Sequence, residues 1–300
     1  MEKKTLISNI QRFSLDDGEG IRTTVFFKGC NLSCKWCHNP ECISAEKLLQ
    51  YHENKCANCK KCEEICPIGC HSFENGKHLI DRQKCEGCGK CTEICPGSAL
   101  EINGKYYTSE ALMEIIKKDC AYYENSGGGV TFSGGEPMLS FSVLKDLLMK
   151  CKSENIRTAV DTAGNIPYER YEALFPYVDM FLIDLKIWDD DKLKTYTGGS
   201  GKRIKENIKL IAEAGKRVII RIPVIGSVND EKEELKKMAD FLKDIGKIEL
   251  VQLLPYHQYG IGKYAISGIK SEQADFYVPS SSFMNEMLEL FRAIGLNTSF

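Results

Sequence analysis

Cysteine placement constrains this chain more than any other feature. Fifteen cysteines occur in 300 residues, and eleven of them fall in three tight groups that end at Cys95. The total is odd, and the first eleven residues have neither an apolar signal core nor a small-residue cleavage site. Both observations argue against an exported disulfide framework. The chain is therefore expected to be cytoplasmic, where clustered thiols point to metal. No stretch approaches the roughly 20 apolar residues that a membrane span needs. A formal net charge of −2 supplies no field to gather nucleic acid or an anionic membrane, so neither is expected as a partner.

The first group reads Cys30-Asn-Leu-Ser-Cys34-Lys-Trp-Cys37-His38-Asn39-Pro40, a C-x3-C-x2-C spacing directly after a strand pattern over Ile21–Phe27. Three thiolates this close hold three irons of one cubane and leave the fourth without a protein ligand. An open metal position suits chemistry, whereas closed sites are usually structural or carry electrons. The competing reading is a zinc knuckle with Cys42 as fourth ligand. Zinc loops more often use C-x2-C pairs, and a second pair at the usual separation is missing.

The other two groups are Cys56-x2-Cys59-x2-Cys62-x3-Cys66-Pro67 and Cys85-x2-Cys88-x2-Cys91-x3-Cys95-Pro96. They are an internal repeat offset by 29 residues, with Lys61/Lys90, Glu64/Glu93 and Ile65/Ile94 also matching. In paired ferredoxin runs the fourth cysteine serves the other cluster. The expected ligand sets are Cys56, Cys59, Cys62 and Cys95, and Cys85, Cys88, Cys91 and Cys66. With the first group this makes three 4Fe–4S clusters. Two zinc sites are the alternative, but zinc has no need of a repeated four-cysteine run followed by proline. Cys42, Cys70, Cys120 and Cys151 lie outside these sets. Metal ligation supplies folding free energy to a segment with few apolar residues. The segment reads as an electron route or as a docking surface, and the sequence does not separate the two.

Texture divides the chain into residues 1–50, with one strand and a cysteine loop, a ferredoxin-like insert at 51–104, and the remainder at 105–300. Strand patterns are expected at Ile21–Phe27, Val130–Phe132, Thr158–Val160, Met180–Leu185, Val218–Val224 and Ile248–Leu254, with helical spacing between the later ones. The expected fold class is α/β, an open partial (βα)6 barrel carrying a small inserted iron–sulfur domain. A doubly wound sheet is the competitor. Polar or small residues follow nearly every strand: Gly29-Cys30, Ser133 to Pro137, Asp161-Thr162, Asp184-Leu185-Lys186, Arg221 and Pro255-Tyr256-His257. In βα barrels that end carries the chemistry.

Further motifs join the cysteine loop in a fixed order. Asp17-Gly18-Glu19-Gly20-Ile21-Arg22 precedes it, and Trp36-Cys37-His38-Asn39-Pro40-Glu41 ends it. Gly127 to Pro137, Asp184-Leu185-Lys186 and Leu253-Leu254-Pro255-Tyr256-His257 follow. Over about residues 7–265 this resembles the activating enzymes of glycyl radical enzymes, within the radical S-adenosylmethionine enzymes. The resemblance implies reductive cleavage of S-adenosylmethionine at the Cys30/Cys34/Cys37 cluster. The 5′-deoxyadenosyl radical would then take hydrogen from a glycine Cα of a partner glycyl radical enzyme. It implies a cofactor pocket of Trp36, Cys37, His38, Gly134, Gly135, Asp184, Leu185, Lys186 and His257, and flavodoxin or ferredoxin as electron donor. It also extends to a monovalent cation near Asp161 and Asp184. Asp184, Lys186 and His257 read equally as ordinary buried polar contacts. Glu19 departs from the family, which more often has proline there, in a turn expected near the peptide-binding mouth. A radical maturase or small-molecule enzyme with auxiliary clusters is a second reading, and a ferredoxin-like electron carrier a third.

Overall fold

A computed structural model describes residues 3–273 and 275–300. The chain begins with β1 (Lys4–Ser14) and β2 (Arg22–Phe27). The insert contributes β3 (Leu48–Tyr51), α1 (Lys61–Ile65), β4 (His71–Glu74), β5 (Lys77–Ile80), α2 (Lys90–Glu93) and β6 (Leu100–Asn103). Then come β7 (Lys105–Thr108), α3 (Ser109–Ile116), α4 (Cys120–Ser126), β8 (Gly129–Gly134), α5 (Phe141–Ser153), β9 (Thr158–Thr162) and α6 (Tyr168–Glu172). The last part holds β10 (Met180–Asp184), α7 (Asp190–Thr197), α8 (Gly201–Glu213), β11 (Arg217–Val224), α9 (Lys232–Ile245), β12 (Leu250–Pro255), α10 (Ile261–Ser267), α11 (Ser281–Ala293) and β13 (Thr298–Ser299).

Among the described residues the main sheet runs β13-β12-β11-β10-β9-β8-β2-β1-β7. From β2 to β13 every neighbouring pair is parallel. Strand order along that run never reverses, so the sheet has no switch point and is not doubly wound. Its ends are not bonded to each other, so the barrel is open, as expected for a partial (βα)6 barrel. The six expected strands are β2 and β8–β12. Three more extend the sheet: β13 beside β12, and the antiparallel pair β1 and β7 at the other edge. β1 was not expected because its exposed half, Asn9 to Phe13, lacks an apolar alternation, and only Leu6 and Ile7 are buried hydrophobics.

Side chains alternate across the sheet. Phe132, Val160, Phe181, Ile183 and Ile220 pack outward against Ile204, Ile208 and Ile211 of α8 and Leu235, Met238 and Leu242 of α9. Burying each such side chain stabilises the fold by about 1.5–3 kcal/mol. On the concave face, Ala159, Met180, Leu182 and Ile219 form a separate buried cluster. Beyond it, at the carboxyl ends of the same strands, stand Ser133, Asp161, Asp184 and Arg221.

The segment between β1 and β2 closes the far end of this lumen. Asp17 accepts from Thr24 Oγ1 at 2.6 Å through its carboxylate and from Thr131 Oγ1 at 2.7 Å through its carbonyl. Arg22 is buried and donates to Thr131 Oγ1 at 2.6 Å and to the Val130 carbonyl at 2.7 Å. Glu19 pairs with Arg217 at 2.8 Å, at the first residue of β11. Glu19 therefore lies at the amino-terminal end of the strands, opposite the site, and not near its mouth as the sequence led us to expect.

Within the insert, β3 pairs antiparallel with β6, and β4 with β5. β3 straddles the expected boundary at residue 50. The buried hydrophobic cluster of the insert is Leu49, Cys62, Cys91 and Leu100, so half of that cluster is thiols.

Asn229 is fully buried and ties two strand ends together. It donates to the carbonyls of Lys186 and Pro223, both at 2.7 Å, and accepts from Ile225 N at 2.7 Å. Asn229→Ala should strand these three groups and lower stability by about 3 kcal/mol. The exposed Arg217→Ala should cost under about 1 kcal/mol. Anaerobic denaturant unfolding compares the two, and equal losses would contradict this account.

Candidate active site and the cysteine-lined insert

A cavity of about 590 Å³ opens at the carboxyl ends of the parallel strands. Cys30, Cys34 and Cys37 line it together with Trp36, His38, Gly134, Gly135, Asp184, Lys186 and His257. Leu185 does not: its side chain is 1% exposed in the main core, and its amide donates to the Arg221 carbonyl at 2.9 Å. Strand alternation turns Leu185 away from the face that Asp184 and Lys186 share. Asp16, Asp17, Ser133, Thr162 and Tyr256 also line the cavity and were not singled out from the sequence as cofactor-binding residues. The Asp16-Asp17 pair before Gly18 was the available signal for the first two.

The cysteine loop is held by backbone bonds to its surroundings. Gly29 N donates to the Cys42 carbonyl at 2.8 Å and Cys30 N to Ile43 O at 3.0 Å, which closes the loop on itself. Ser33 N and Lys35 N donate to Thr197 O and Tyr196 O at the end of α7, at 2.9 and 3.1 Å. Tyr264 on α10 donates to the Cys37 carbonyl at 2.9 Å. The glycine pair locks the loop against β8. A Cβ on Gly135 would meet the Gly29 and Cys42 carbonyl oxygens at 2.2 and 2.7 Å, and one on Gly134 would meet Phe27 N at 2.3 Å. The Gly-Gly pair is therefore required first for backbone packing, and only then borders the cavity.

Burial pushes the Cys30 thiol up to about 12 and raises Cys34 and Cys37 as well. Thiolates at this place need positive charge close by. Burial also opposes the charge of Lys186, but Asp184 and the Cys34 thiol outweigh it and hold the ammonium protonated. The donor set fits an iron–sulfur cluster: three soft sulfur ligands open on one cavity. Among the described residues no fourth cysteine lines it, and Cys42, the fourth ligand of the zinc alternative, is buried outside.

The two carboxylates associated with a cation each face a protein cation. Asp184 pairs with Lys186, and Asp161 accepts from Ser133 Oγ at 2.7 Å with Arg221 Nη1 at 3.5 Å. Burial pushes Asp161 up to about 6, against the pull of Arg221. His38 packs edge to face on His257, with ring centroids 4.7 Å apart, and burial pushes it down to about 4. Trp36 lies between Tyr196 and Phe276 and is 8% exposed, so it serves packing as well as the cavity wall.

The insert brings its own nine cysteines together in two further cavities. One is lined by Cys56, Cys59, Cys62 and Cys95, with Phe73, His78 and Leu100. The other is lined by Cys66, Cys85, Cys88 and Cys91, with Leu49, His71 and Ile102, and also by Cys70. Each cavity thus takes three cysteines from one run and the fourth from the other. Cys70 Sγ lies 3.3 Å from Cys66 Sγ.

A sheet wound in one direction, with three thiols at its carboxyl end and nine more in a small appended unit, defines a class of iron–sulfur enzyme. Comparison with known proteins agrees. The radical SAM superfamily model matches residues 82–242, a 4Fe-4S dicluster domain model residues 48–108, and a 4Fe-4S single cluster domain model residues 16–66. The trans-4-hydroxy-L-proline dehydratase activating enzyme of Clostridioides difficile is 45% identical over 98% of both chains. The (2S)-3-sulfopropanediol dehydratase activating enzyme of Klebsiella oxytoca is 39% identical over 97% of this chain and 95% of its own. A solved domain of a pyruvate-formate lyase-activating enzyme from Bacteroides vulgatus is similar at a TM-score of 0.50 and 31% identity, covering 57% of this chain and 98% of that one. A radical SAM methyltransferase from Sphaerobacter thermophilus shares the fold at a TM-score of 0.54 and 15% identity, over 98% of this chain and 76% of that one. The chain belongs to the radical SAM superfamily and, within it, to the activating enzymes of glycyl radical enzymes. Radical generation from S-adenosylmethionine is that family's function.

Glu136 shows how the site is held. It is fully buried, and its carboxylate accepts from Thr162 Oγ1 at 2.8 Å, Ala163 N at 3.0 Å and Met138 N at 3.2 Å. Burial still pushes it up from 4.5 to about 7. A raised carboxylate contributes stability that is full below its unfolded value and is lost as pH rises through its folded one. Wild type should therefore lose stability relative to Glu136→Gln between pH 4.5 and 8, by up to about 3 kcal/mol. A difference that stays constant over this range in anaerobic unfolding would contradict the assignment.

Proposed function

We propose that this chain activates a glycyl radical enzyme, with the reaction centred on a 4Fe–4S cluster held by Cys30, Cys34 and Cys37. The observation that carries the reading is a cavity with three converging thiols and no fourth among the described residues. When bound, the cluster supplies one electron and an open iron, and S-adenosylmethionine supplies the 5′-deoxyadenosyl radical that takes hydrogen from a glycine Cα of the partner. The chain's own residues bind and orient. Lys186 and Arg221 bring fixed positive charge to a cavity that must accept an amino-acid carboxylate. Asp184 and Asp161 keep those cations in place, and Ser133 and Glu136 position the strand ends that carry them. Tyr256, His38 and His257 wall the cavity from water.

In the same reading the insert spans about residues 48–103, the length enclosed by β3 and β6, between the barrel segments before and after it. It holds two further 4Fe–4S clusters on the crossed cysteine sets and relays electrons from flavodoxin or ferredoxin. The cation is left out of the reading, because Arg221 and Lys186 already occupy the carboxylates it would need. An electron carrier alone has no use for a cavity of about 590 Å³. The partner to assay first is trans-4-hydroxy-L-proline dehydratase, since the activating enzyme of that dehydratase is 45% identical along 98% of this chain.

Anaerobically purified protein should contain about 12 irons and about 12 sulfides per chain. With dithionite it should release 5′-deoxyadenosine and, beside its partner, produce a glycyl radical signal in electron paramagnetic resonance. Replacing Cys30, Cys34 or Cys37 by alanine should abolish both. Turnover that survives these changes, or about four irons in the wild type, would defeat the reading of the respective site.

A further inference from the structure

The insert's internal repeat is broken at two positions. Leu49 and Leu100 lie 29 residues from His78 and His71, respectively, and are their counterparts under the repeat. The first cavity is lined by His78 and Leu100, the second by Leu49 and His71. Each cavity thus has one leucine and one histidine, but the histidines come from the same hairpin, β4–β5, and meet each other.

Both rings are buried, and His71 Nδ1 lies 2.8 Å from His78 Nε2. His78 also reaches the first cavity's sulfurs, with Nδ1 3.9 Å from Cys56 Sγ and Nε2 3.6 Å from Cys62 Sγ. His71 stands with Cys66 and Cys70 on the other side, their ligand atoms all within 4.8 Å of one another. Its Nε2 is buried with no hydrogen-bond partner.

A neutral imidazole has one donor nitrogen and one acceptor. If His78 Nε2–H donated to His71, the N–H of His71 would sit on Nε2, buried without an acceptor. Orphaned buried N–H groups are rarer than under-used acceptors. The favoured arrangement has His71 Nδ1–H donating to His78 Nε2, which leaves His78 Nδ1–H aimed at Cys56 Sγ. On the second side, the sulfur donor in reach of Cys66 is the Cys70 thiol, a weaker donor than imidazole.

A hydrogen bond to a cluster's sulfur ligand stabilises the more negative, reduced state and raises the reduction potential. We propose that the His71–His78 bridge makes the two insert clusters unequal, by directing an N–H···S bond onto the Cys56/Cys59/Cys62/Cys95 cluster and raising its potential above that of its partner. The proposal rests on the reading that both cavities hold iron–sulfur clusters. It gives the symmetric insert a direction, with the bridged cluster as the better electron acceptor.

The test uses the full chain, reconstituted anaerobically and carrying Cys30→Ala, Cys34→Ala and Cys37→Ala so that the insert clusters are read alone. In a potentiometric titration followed by electron paramagnetic resonance, two separate midpoints are expected. His78→Leu, which installs the residue found at the matching position, should lower the higher midpoint by about tenfold in the reduction equilibrium, about 59 mV for one electron. His71→Leu should move it in the same direction by less. An unchanged midpoint in either iron-replete variant overturns the proposal. If His78→Leu loses iron, His71→Leu decides alone, since it leaves every sulfur contact of His78 in place. Background protein without about eight irons refutes the underlying reading of the insert, an outcome distinct from unchanged midpoints in a fully loaded one.

Discussion

A loop with three thiols in eight residues has little apolar surface of its own, so its shape has to come from its neighbours. Backbone bonds from Gly29, Cys30, Ser33 and Lys35 to other segments, together with Tyr264 on the Cys37 carbonyl, supply that shape. The loop is thereby held by the protein's own backbone and one tyrosine. That fixation dictates much of the surrounding sequence. Gly134 and Gly135 lack side chains because backbone already fills the space a Cβ would need, that of β2 at Gly134 and that flanking the cysteine loop at Gly135. Asn229 holds the backbone of Lys186 and Pro223 together at the ends of adjacent strands.

The barrel and the insert are stabilised by different means. The barrel buries long aliphatic side chains in a continuous core between sheet and helices. The insert has a core of four residues, two of them thiols, and five-residue or shorter helices. Hydrophobic burial on that scale does not order a unit of this size alone. Metal ligation would, and because each cavity takes one cysteine from the other run, ligands bound there would order the two halves together.

Legibility in the sequence followed the strength of local constraints. The six parallel strands were readable because buried parallel strands are continuous apolar runs. Cysteine spacing alone sufficed for the grouping into cavities, including the crossing of the fourth cysteine of each run. β1 was missed because half of it is solvated and one of its two partners, β7, lies nearly a hundred residues away in sequence. Glu19 was placed at the wrong end because nothing local reveals that the chain between β1 and β2 turns into the lumen; the side chains that receive it, Thr131 and Arg217, belong to distant strands. Leu185 was included with its motif neighbours, and strand alternation excludes its side chain. Asn229 carries no motif at all, since its role comes entirely from three backbone groups that only the fold brings to it.

Rigid attachment of the insert is what the proposed relay would further require, because an electron route needs a fixed separation between its stations. Lys28 provides it with a single buried ammonium. Its Nζ donates to the Glu41 carbonyl at the end of the cysteine loop and to Asn103 Oδ1 on β6 at 3.1 Å. Asn103 in turn bonds Ser8 of β1. Burial lowers the Lys28 pKa, so this charge persists only because the carbonyl and amide oxygens solvate it in place of water. Gly104 makes the room, since a Cβ there would meet Lys28 Cδ at 2.9 Å. A second anchor lies on β3, where Gln50 bonds Ser267 at 3.2 Å and Arg82 donates to the Leu49 carbonyl and reaches Ile266 O. The helix that receives this second anchor, α10, is the one whose Tyr264 holds Cys37, so insert and cysteine loop share one support.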